Sequence, residues 1–276
     1  MEFCKAYKSQ NRVLFIYFVH IISCITKNSF FAPDSSLFNA IMNLTQNVSD
    51  RVLRMQESAT LKMSKLARAL RAEGKDVINL SLGEPDFDTP DHIKQAAKKA
   101  LDEGYTKYTP VPGLPELRKA ICDKFERDNQ LSFDLDQIVV SNGAKQSIAN
   151  LSLALLDEGD EVIIFTPYWV SYFEIVRISG ATPIPLAAGI DNDYKVTAEQ
   201  LEEAITSRTK MVLFSSPCNP TGSVFSKEEL EAISLVIQKH PQIITVSDEI
   251  ADFFDYRLRL RMSSRMYWIR LPRKKF

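Results

Sequence analysis

Short apolar runs alternate with amphipathic helical stretches along the chain from Asp76 onward. Five of these runs are rich in β-branched residues and end in polar, glycine or proline residues, which is typical of buried strands. The predicted strands are 137–141, 161–165, 182–186, 210–215 and 243–247. Because helical stretches fill the gaps between them, the pattern predicts an α/β fold around a mainly parallel sheet.

The helical stretches carry their own start and stop signals. Thr89 followed by Pro90 predicts an N-cap with proline at the first helical position, and Gly104 predicts the end of that helix. A second clear helix is predicted over 226–239, with acidic residues in its first turns. A third helical pattern covers 59–72 and leads into the strand-like segment 77–82. We expect the sheet domain to begin near Thr89, with the earlier residues in a smaller domain.

The composition is that of an ordinary globular protein, and the net charge gives no reason to expect a polyanionic partner. Of 276 residues, 45% are hydrophobic and 25% charged, and 34 basic residues against 35 acidic ones give a net charge of -1. The segment 257–276 is basic without an acidic residue, but no motif in it indicates nucleic-acid or membrane binding. The four cysteines show no metal-ligand or disulfide spacing, so we expect no metal and a cytoplasmic location.

The first 42 residues have two interpretations. Segment 13–25 is apolar and follows Lys5, Lys8 and Arg12, as in a secretory signal. It is short for a membrane span, His20 interrupts it, and no small-residue cleavage site follows. We therefore favour an extension of doubtful significance over 1–42.

Residues that follow the predicted strands indicate where chemistry would occur, because ligands of open parallel sheets bind beyond the carboxyl ends of strands. Gly143, Ala144 and Lys145 open a helix, either as a turn or as a phosphate site. Trp169 is either a core aromatic or a platform for a planar ring. Asn219 is either a turn former or an amide donor, and Asp248 either a helix cap or a site carboxylate. Together they suit a planar phosphorylated pyridine.

Five motifs in this order carry a resemblance to a known family: Leu82-Gly83-Glu84-Pro85-Asp86-Phe87, Lys107-Tyr108-Thr109-Pro110 leading to Gly113-Leu114-Pro115, Pro167-Tyr168-Trp169, Asn219-Pro220-Thr221-Gly222 and Ser247-Asp248-Glu249-Ile250. The chain resembles class I, fold-type I aminotransferases that depend on pyridoxal 5'-phosphate (PLP), and is most similar to bacterial aspartate aminotransferases. The resemblance implies a three-layer sandwich around a mainly parallel sheet, incomplete and with a partial small domain. It divides the chain into 43–88 in the small domain, 89–250 in the PLP-binding domain and a non-family basic tail over 251–276.

The resemblance also implies roles for individual residues. Gly143, Ala144 and Lys145 would hold the cofactor phosphate, and Trp169 would stack on its ring. Asn219 would bond the phenolic oxygen, and Asp248 would pair with the protonated ring nitrogen. Gly83, Trp169 and Asn219 would contact the substrate. Tyr108 would reach the phosphate of a neighbouring subunit, which implies a homodimer that takes amino-acid and 2-oxo-acid substrates.

Two departures from the family pattern limit this expectation. Ala251 stands where the family has a tyrosine, and the chain ends at Phe276 before the lysine to which the family attaches its cofactor. Lys274 and Lys275 lack that lysine's context, so no catalytic residue is assigned. We expect an aminotransferase for aspartate or a similar amino acid with 2-oxoglutarate, inactive as this chain. The alternatives are a non-catalytic fragment or pseudoenzyme, and another fold-type I enzyme such as a carbon-sulfur lyase.

Overall fold

The computed structural model describes residues 48–80, 83 and 87–250 of the chain. The chain divides into two compact units, Met1–Leu53 and Arg54–Phe276. Within the first unit, the described part holds one short helix, α1 (Asp50–Leu53). The predicted extension 1–42 and the basic tail 251–276, with Ala251, Lys274 and Lys275, lie outside the described residues.

Four parallel strands form the sheet of the second unit. They are β1 (Glu161–Thr166), β2 (Thr182–Ala187), β3 (Thr209–Ser215) and β4 (Ile244–Asp248), in the order β2-β1-β3-β4. All three neighbouring pairs are parallel. Four of the five predicted strands and the parallel α/β fold are therefore confirmed.

Helices connect and flank these strands. The longer ones are α2 (Ala59–Ala72), α3 (Asp91–Asp102), α4 (Pro115–Lys124), α5 (Ala144–Leu155), α6 (Ser171–Ile178), α7 (Ala198–Ala204) and α8 (Lys227–Lys239). A π-helical turn, Phe125–Asn129, extends α4, and 3-10 turns cover Leu135–Gln137 and Ile190–Asn192. The predicted helices over 59–72 and 226–239 are confirmed, and Ser226 caps α8 by accepting from the N–H of Glu229 at 3.2 Å.

The predicted start of α3 is wrong by one residue. Pro90, not Thr89, is the N-cap, and its ψ of 141° is extended, so the helix begins at Asp91. The structure gives this cap no side-chain hydrogen bond. Gly104 ends the helix region as predicted, with its N–H donating to Leu101 O at 3.0 Å.

One predicted strand, 137–141, and the strand-like segment 77–82 form no ladder among the described residues. Segment 137–141 begins in a 3-10 turn and continues without a ladder, although the N–H of Val140 donates to Pro112 O at 3.0 Å. Segment 77–80 is irregular, with Ile78 and Leu80 largely exposed, and residues 81 and 82 lie outside the description. Apolar sequence alone does not make a strand, because the backbone needs a paired neighbour and the described strands provide none here.

Side chains along each strand point alternately to the two faces of the sheet, so the hydrophobic core has two parts, one on each face. Val162 and Ile164 of β1 pack in one cluster with residues of α5 and α6, whereas Ile163 and Phe165 pack in a second cluster with residues of α7 and α8. Successive strand side chains point to opposite faces, so helices must cover both. Each fully buried aliphatic side chain contributes about 1.5–3 kcal/mol to this core. The result is the expected three-layer α/β/α arrangement.

Candidate active site

The carboxyl ends of β1, β3 and β4 lie along one edge of the sheet because the strands are parallel. Ser215 at the end of β3 is the register partner of Asp248 at the end of β4. The loops after β1 and β3 meet here, since the thiol of Cys218 donates to Pro167 O across 3.3 Å. This edge therefore brings together the polar segments that follow three different strands.

The amino end of α5 has the backbone geometry that suits an anion. Gly143 is its N-cap with φ 84° and ψ 160°, a conformation that glycine adopts without strain. The helix's first internal bond is donated by Gln146 to Gly143 O at 3.1 Å, so the N–H groups of Ala144 and Lys145 precede the helical ladder. A Cβ at Gly143 would meet nothing within 4 Å. The predicted helix opening is confirmed, and open space lies beside it.

Lys145 adds positive charge to this helix end and joins it to the loop after β1. Its Nζ lies 4.8 Å from the centroid of the Trp169 ring, which is a cation–π distance. A cation in the first turn opposes the helix dipole, so Lys145 gains nothing from its position in the helix itself. The two positive sources together create a site that favours an anionic group.

Trp169 in turn contacts a buried tyrosine. Its ring meets that of Tyr172 edge-on, with centroids 5.6 Å apart and planes at 87°. Tyr172 lies in the first turn of α6 and is completely buried. Its hydroxyl donates to Oδ2 of Asp248 at 2.6 Å. Lys145 therefore contacts Trp169, Trp169 contacts Tyr172, and Tyr172 contacts Asp248.

Sequence reasoning missed Tyr172 as a member of this site. The signal was present, because a residue three positions after Trp169 returns to the same side once a helix begins. The amide of Tyr172 donates to Trp169 O at 3.0 Å, which marks that helical turn. No helix start was predicted at this point, and Tyr172 was given no role.

Asp248 is half-buried and its two carboxylate oxygens have separate donors. Oδ1 accepts from the N–H of Ile250 at 3.2 Å, and Oδ2 accepts from Tyr172. Within 48–80, 83 and 87–250, no lysine, arginine or histidine forms an ion pair with it. Burial, and next the charge of Asp248, raise the pKa of Tyr172 far above its usual range, so the phenol remains a donor. The carboxylate is thus held and can accept a further cationic donor.

The remaining predicted site residues have fewer contacts with the residues around Asp248. Asn219 is exposed in a turn closed by the N–H of Gly222, which donates to Cys218 O at 2.7 Å. Tyr108 and Gly83 are exposed, and among the described residues no hydrogen bond or ring contact joins either of them to the group around Asp248. Their assigned roles stay predictions.

No group of three or more histidine, cysteine, aspartate or glutamate side chains in the described part of the chain could hold a metal ion. No helix among the described residues is both long and apolar enough to cross a bilayer.

The sheet edge around Asp248 brings together a half-buried carboxylate, an aromatic ring and the amino end of a helix with a lysine beside it. The fold is that of a particular enzyme class. The family model for aminotransferases of class I and II matches residues 75–254, and the chain belongs to that family.

Individual relatives agree with the family assignment. The chain is 48% identical over 225 residues to the aspartate/prephenate aminotransferase of Cereibacter sphaeroides, covering 80% of this chain and 56% of that protein. It is 50% identical over 203 residues to the aspartate/prephenate aminotransferase of Nitrosomonas europaea, covering 74% and 51%. The chain thus spans about half the length of the curated relatives it matches.

Solved structures give the same result for the fold. The aspartate aminotransferase from Rhizobium meliloti has a TM-score of 0.71 at 47% identity, over 73% of this chain and 50% of that one. The aspartate aminotransferase from Thermus thermophilus with maleate has a TM-score of 0.71 at 46% identity, over 74% and 53%. Both fold and family are therefore those expected from the sequence.

Proposed function

We propose that the protein is, by family function, a PLP-dependent aminotransferase for aspartate, or a similar amino acid, and 2-oxoglutarate, and that the chain itself binds PLP without catalysing the exchange. Class I and II aminotransferases depend on PLP. The proposal rests mainly on Asp248. Its half-buried carboxylate accepts a hydrogen bond from Tyr172 and has no cationic partner among the described residues. A protonated pyridine nitrogen supplies the missing cation.

The other residues of the edge fit the remaining parts of the cofactor. The first-turn amides of α5 and the Lys145 ammonium suit its phosphate, and Trp169 suits the face of its ring. The family resemblance assigns Asn219 to the phenolic oxygen, and Asn219 follows β3, the strand beside that of Asp248. When bound, the cofactor supplies an electron sink for the substrate's α-carbon, and Asp248 keeps the ring nitrogen protonated for that purpose.

The substrates and the assembly belong to the same proposal. The names of the relatives favour aspartate as amino donor. Gly83 is assigned to the substrate carboxylate, with Trp169 and Asn219 beside it. Tyr108 is assigned to the cofactor phosphate of a second subunit in a homodimer, and its complete exposure leaves the side chain available for such a contact. We place the protein in the cytosol.

Titration of the full chain with PLP tests the cofactor site. The absorption and induced circular dichroism of PLP are followed for the natural chain, Asp248→Ala and Asp191→Ala, the last being an exposed control in the turn after β2, the strand farthest from β4 in the sheet. We expect saturable binding by the natural chain, unchanged binding by Asp191→Ala, and affinity at least about tenfold lower for Asp248→Ala. Absence of an induced signal with the natural chain would contradict the proposal.

A second measurement separates the enzymatic alternatives. The PLP-saturated chain is incubated with aspartate and 2-oxoglutarate, and glutamate is quantified. We expect PLP binding without glutamate formation, whereas glutamate formation would show that the chain is a catalytically active aminotransferase. Release of a thiol from a cysteine conjugate in the same assay format supports a carbon-sulfur lyase.

A further inference from the structure

We propose that Tyr172 is a positioning residue that fixes the Asp248 carboxylate for contact with the cofactor's ring nitrogen, an inference that rests on the proposed function. Tyr172 and Asp248 lie 76 positions apart and come from different elements, α6 and β4. Their hydrogen bond of 2.6 Å is in the range of a hydroxyl donating to an ionised carboxylate.

Asp248 is held from two sides by this arrangement. The backbone N–H of Ile250 fixes Oδ1 from the chain's own continuation, and the Tyr172 hydroxyl fixes Oδ2 from α6. A carboxylate that has one donor on each oxygen has lost its freedom to rotate about χ2. Its remaining lone pairs then point in fixed directions, as a ring nitrogen with one N–H requires.

The donor itself is rigid. Tyr172 has no exposed surface, and Ile175 and Val176 of the same helix belong to the same buried cluster. The Trp169 ring lies edge-on to the Tyr172 ring, so one side chain contacts both the ring platform and the carboxylate. Movement of Tyr172 would therefore disturb two contacts of the cofactor together.

A purely structural role for Tyr172 makes a different prediction from a positioning role. A buried tyrosine that only satisfies its hydroxyl would affect stability, and would affect all ligands of the edge equally. A tyrosine that orients Asp248 would affect ligands according to whether they present a protonated ring nitrogen. The deaza analogue of PLP, in which a CH group replaces that nitrogen, separates the two roles.

The experiment compares PLP and deaza-PLP on the full natural chain, Tyr172→Phe and Tyr168→Phe. Tyr168 is the matched control, because its ring belongs to the same aromatic group, with its centroid 6.4 Å from that of Tyr172. For Tyr172→Phe we expect binding about tenfold weaker for PLP and changed by less than about twofold for deaza-PLP. For Tyr168→Phe we expect no such difference between the two ligands.

A rescue variant guards against a folding defect in Tyr172→Phe. Replacing Tyr172 by 4-aminophenylalanine keeps the ring and restores an N–H donor at the position of the hydroxyl, so PLP affinity should recover by more than half of the loss on a logarithmic scale. Equal losses of PLP and deaza-PLP, or no recovery with the amino group, would overturn the positioning role alone. Failure of the natural chain to bind PLP would instead overturn the proposed function as well.

Discussion

The ammonium of Lys145 lies 4.8 Å from the ring centroid of Trp169, which joins the first turn of α5 to the loop that follows β1. Like charge from the helix dipole opposes a lysine at this position, so the aromatic face is the favourable neighbour that remains. In the proposed complex the phosphate takes over as the principal partner of this ammonium.

Removal of the Lys145 charge should weaken PLP more than pyridoxal, which lacks the phosphate. For Lys145→Gln we expect PLP affinity to fall about tenfold, because a charge-assisted hydrogen bond is lost, while pyridoxal affinity changes by less than about twofold. Both are measured by spectroscopic titration. Lys227→Gln, on the exposed first turn of α8, is the control.

One result would contradict the assignment of Lys145 to the phosphate. If Lys145→Gln weakened PLP and pyridoxal equally, the lysine would act through Trp169 or through folding, and its assignment to the phosphate would be wrong.

Gly113 and Gly143 both have positive φ, but their surroundings predict different costs for alanine. A Cβ at Gly113, where φ is 104°, would lie 2.7 Å from Val140 Cγ2, whereas a Cβ at Gly143 would meet nothing within 4 Å. Gly143→Ala should lower the free energy of unfolding by about 1–3 kcal/mol from backbone strain alone, because φ 84° with ψ 160° is a region that glycine alone populates readily. Gly113→Ala adds overpacking and should lower it by about 2–4 kcal/mol.

Urea unfolding of the two variants measures this order. Val140→Gly in the Gly113→Ala background removes the blocking side chain and should recover part of the loss. Equal losses in the two alanine variants would show that strain alone decides, and that the close approach of Gly113 to Val140 has no energetic weight.

Glu161 at the amino end of β1 should make stability depend on pH in the acid range. Its Oε2 accepts from the Thr206 hydroxyl, and its Oε1 accepts from Nε of Arg208 at 2.8 Å. The Thr206 bond, opposed by burial and reinforced by Arg208, lowers the pKa of Glu161 below its ordinary value of 4.5. A lowered folded pKa means that the stabilisation is present above 4.5 and is lost as pH falls through the lower value.

Glu161→Gln tests this dependence. At neutral pH the variant should be less stable by about 1 kcal/mol, a modest figure because Arg208 is two-thirds exposed and its charge is screened. The difference should shrink as pH falls below the ordinary glutamate range. Urea unfolding at several pH values measures it, with exposed Glu158→Gln as control. A constant difference across pH would exclude the carboxylate charge as its source.

The sequence predicted those parts of the fold that the local pattern of apolar and turn residues determines. β1 and β3 are continuous apolar runs bounded by turn residues, and both faces of the sheet are covered, as such runs require. Segment 137–141 has the same local pattern, yet it pairs with no described strand. Whether an apolar run becomes a strand depends on a neighbour that its own sequence does not specify.

In the site, too, the features that adjacent residues determine were predictable, and those that depend on tertiary packing were not. The opening of α5 at Gly143 was predictable from adjacent residues. The bond between Tyr172 and Asp248 was not, because it requires the start of α6, the packing of that helix on the sheet, and the register of β3 with β4. Asn219 remains a prediction from motif and strand order, since its own contacts form only a local turn.

In the proposed complex, one edge of one sheet binds PLP by its ring nitrogen and its phosphate. A crystal structure of the full chain with PLP measures this binding mode directly. We predict the ring nitrogen within hydrogen-bonding distance of the Asp248 carboxylate, the ring against Trp169 and the phosphate at the first turn of α5. PLP bound elsewhere, or with its ring nitrogen turned away from Asp248, would contradict the proposed binding mode.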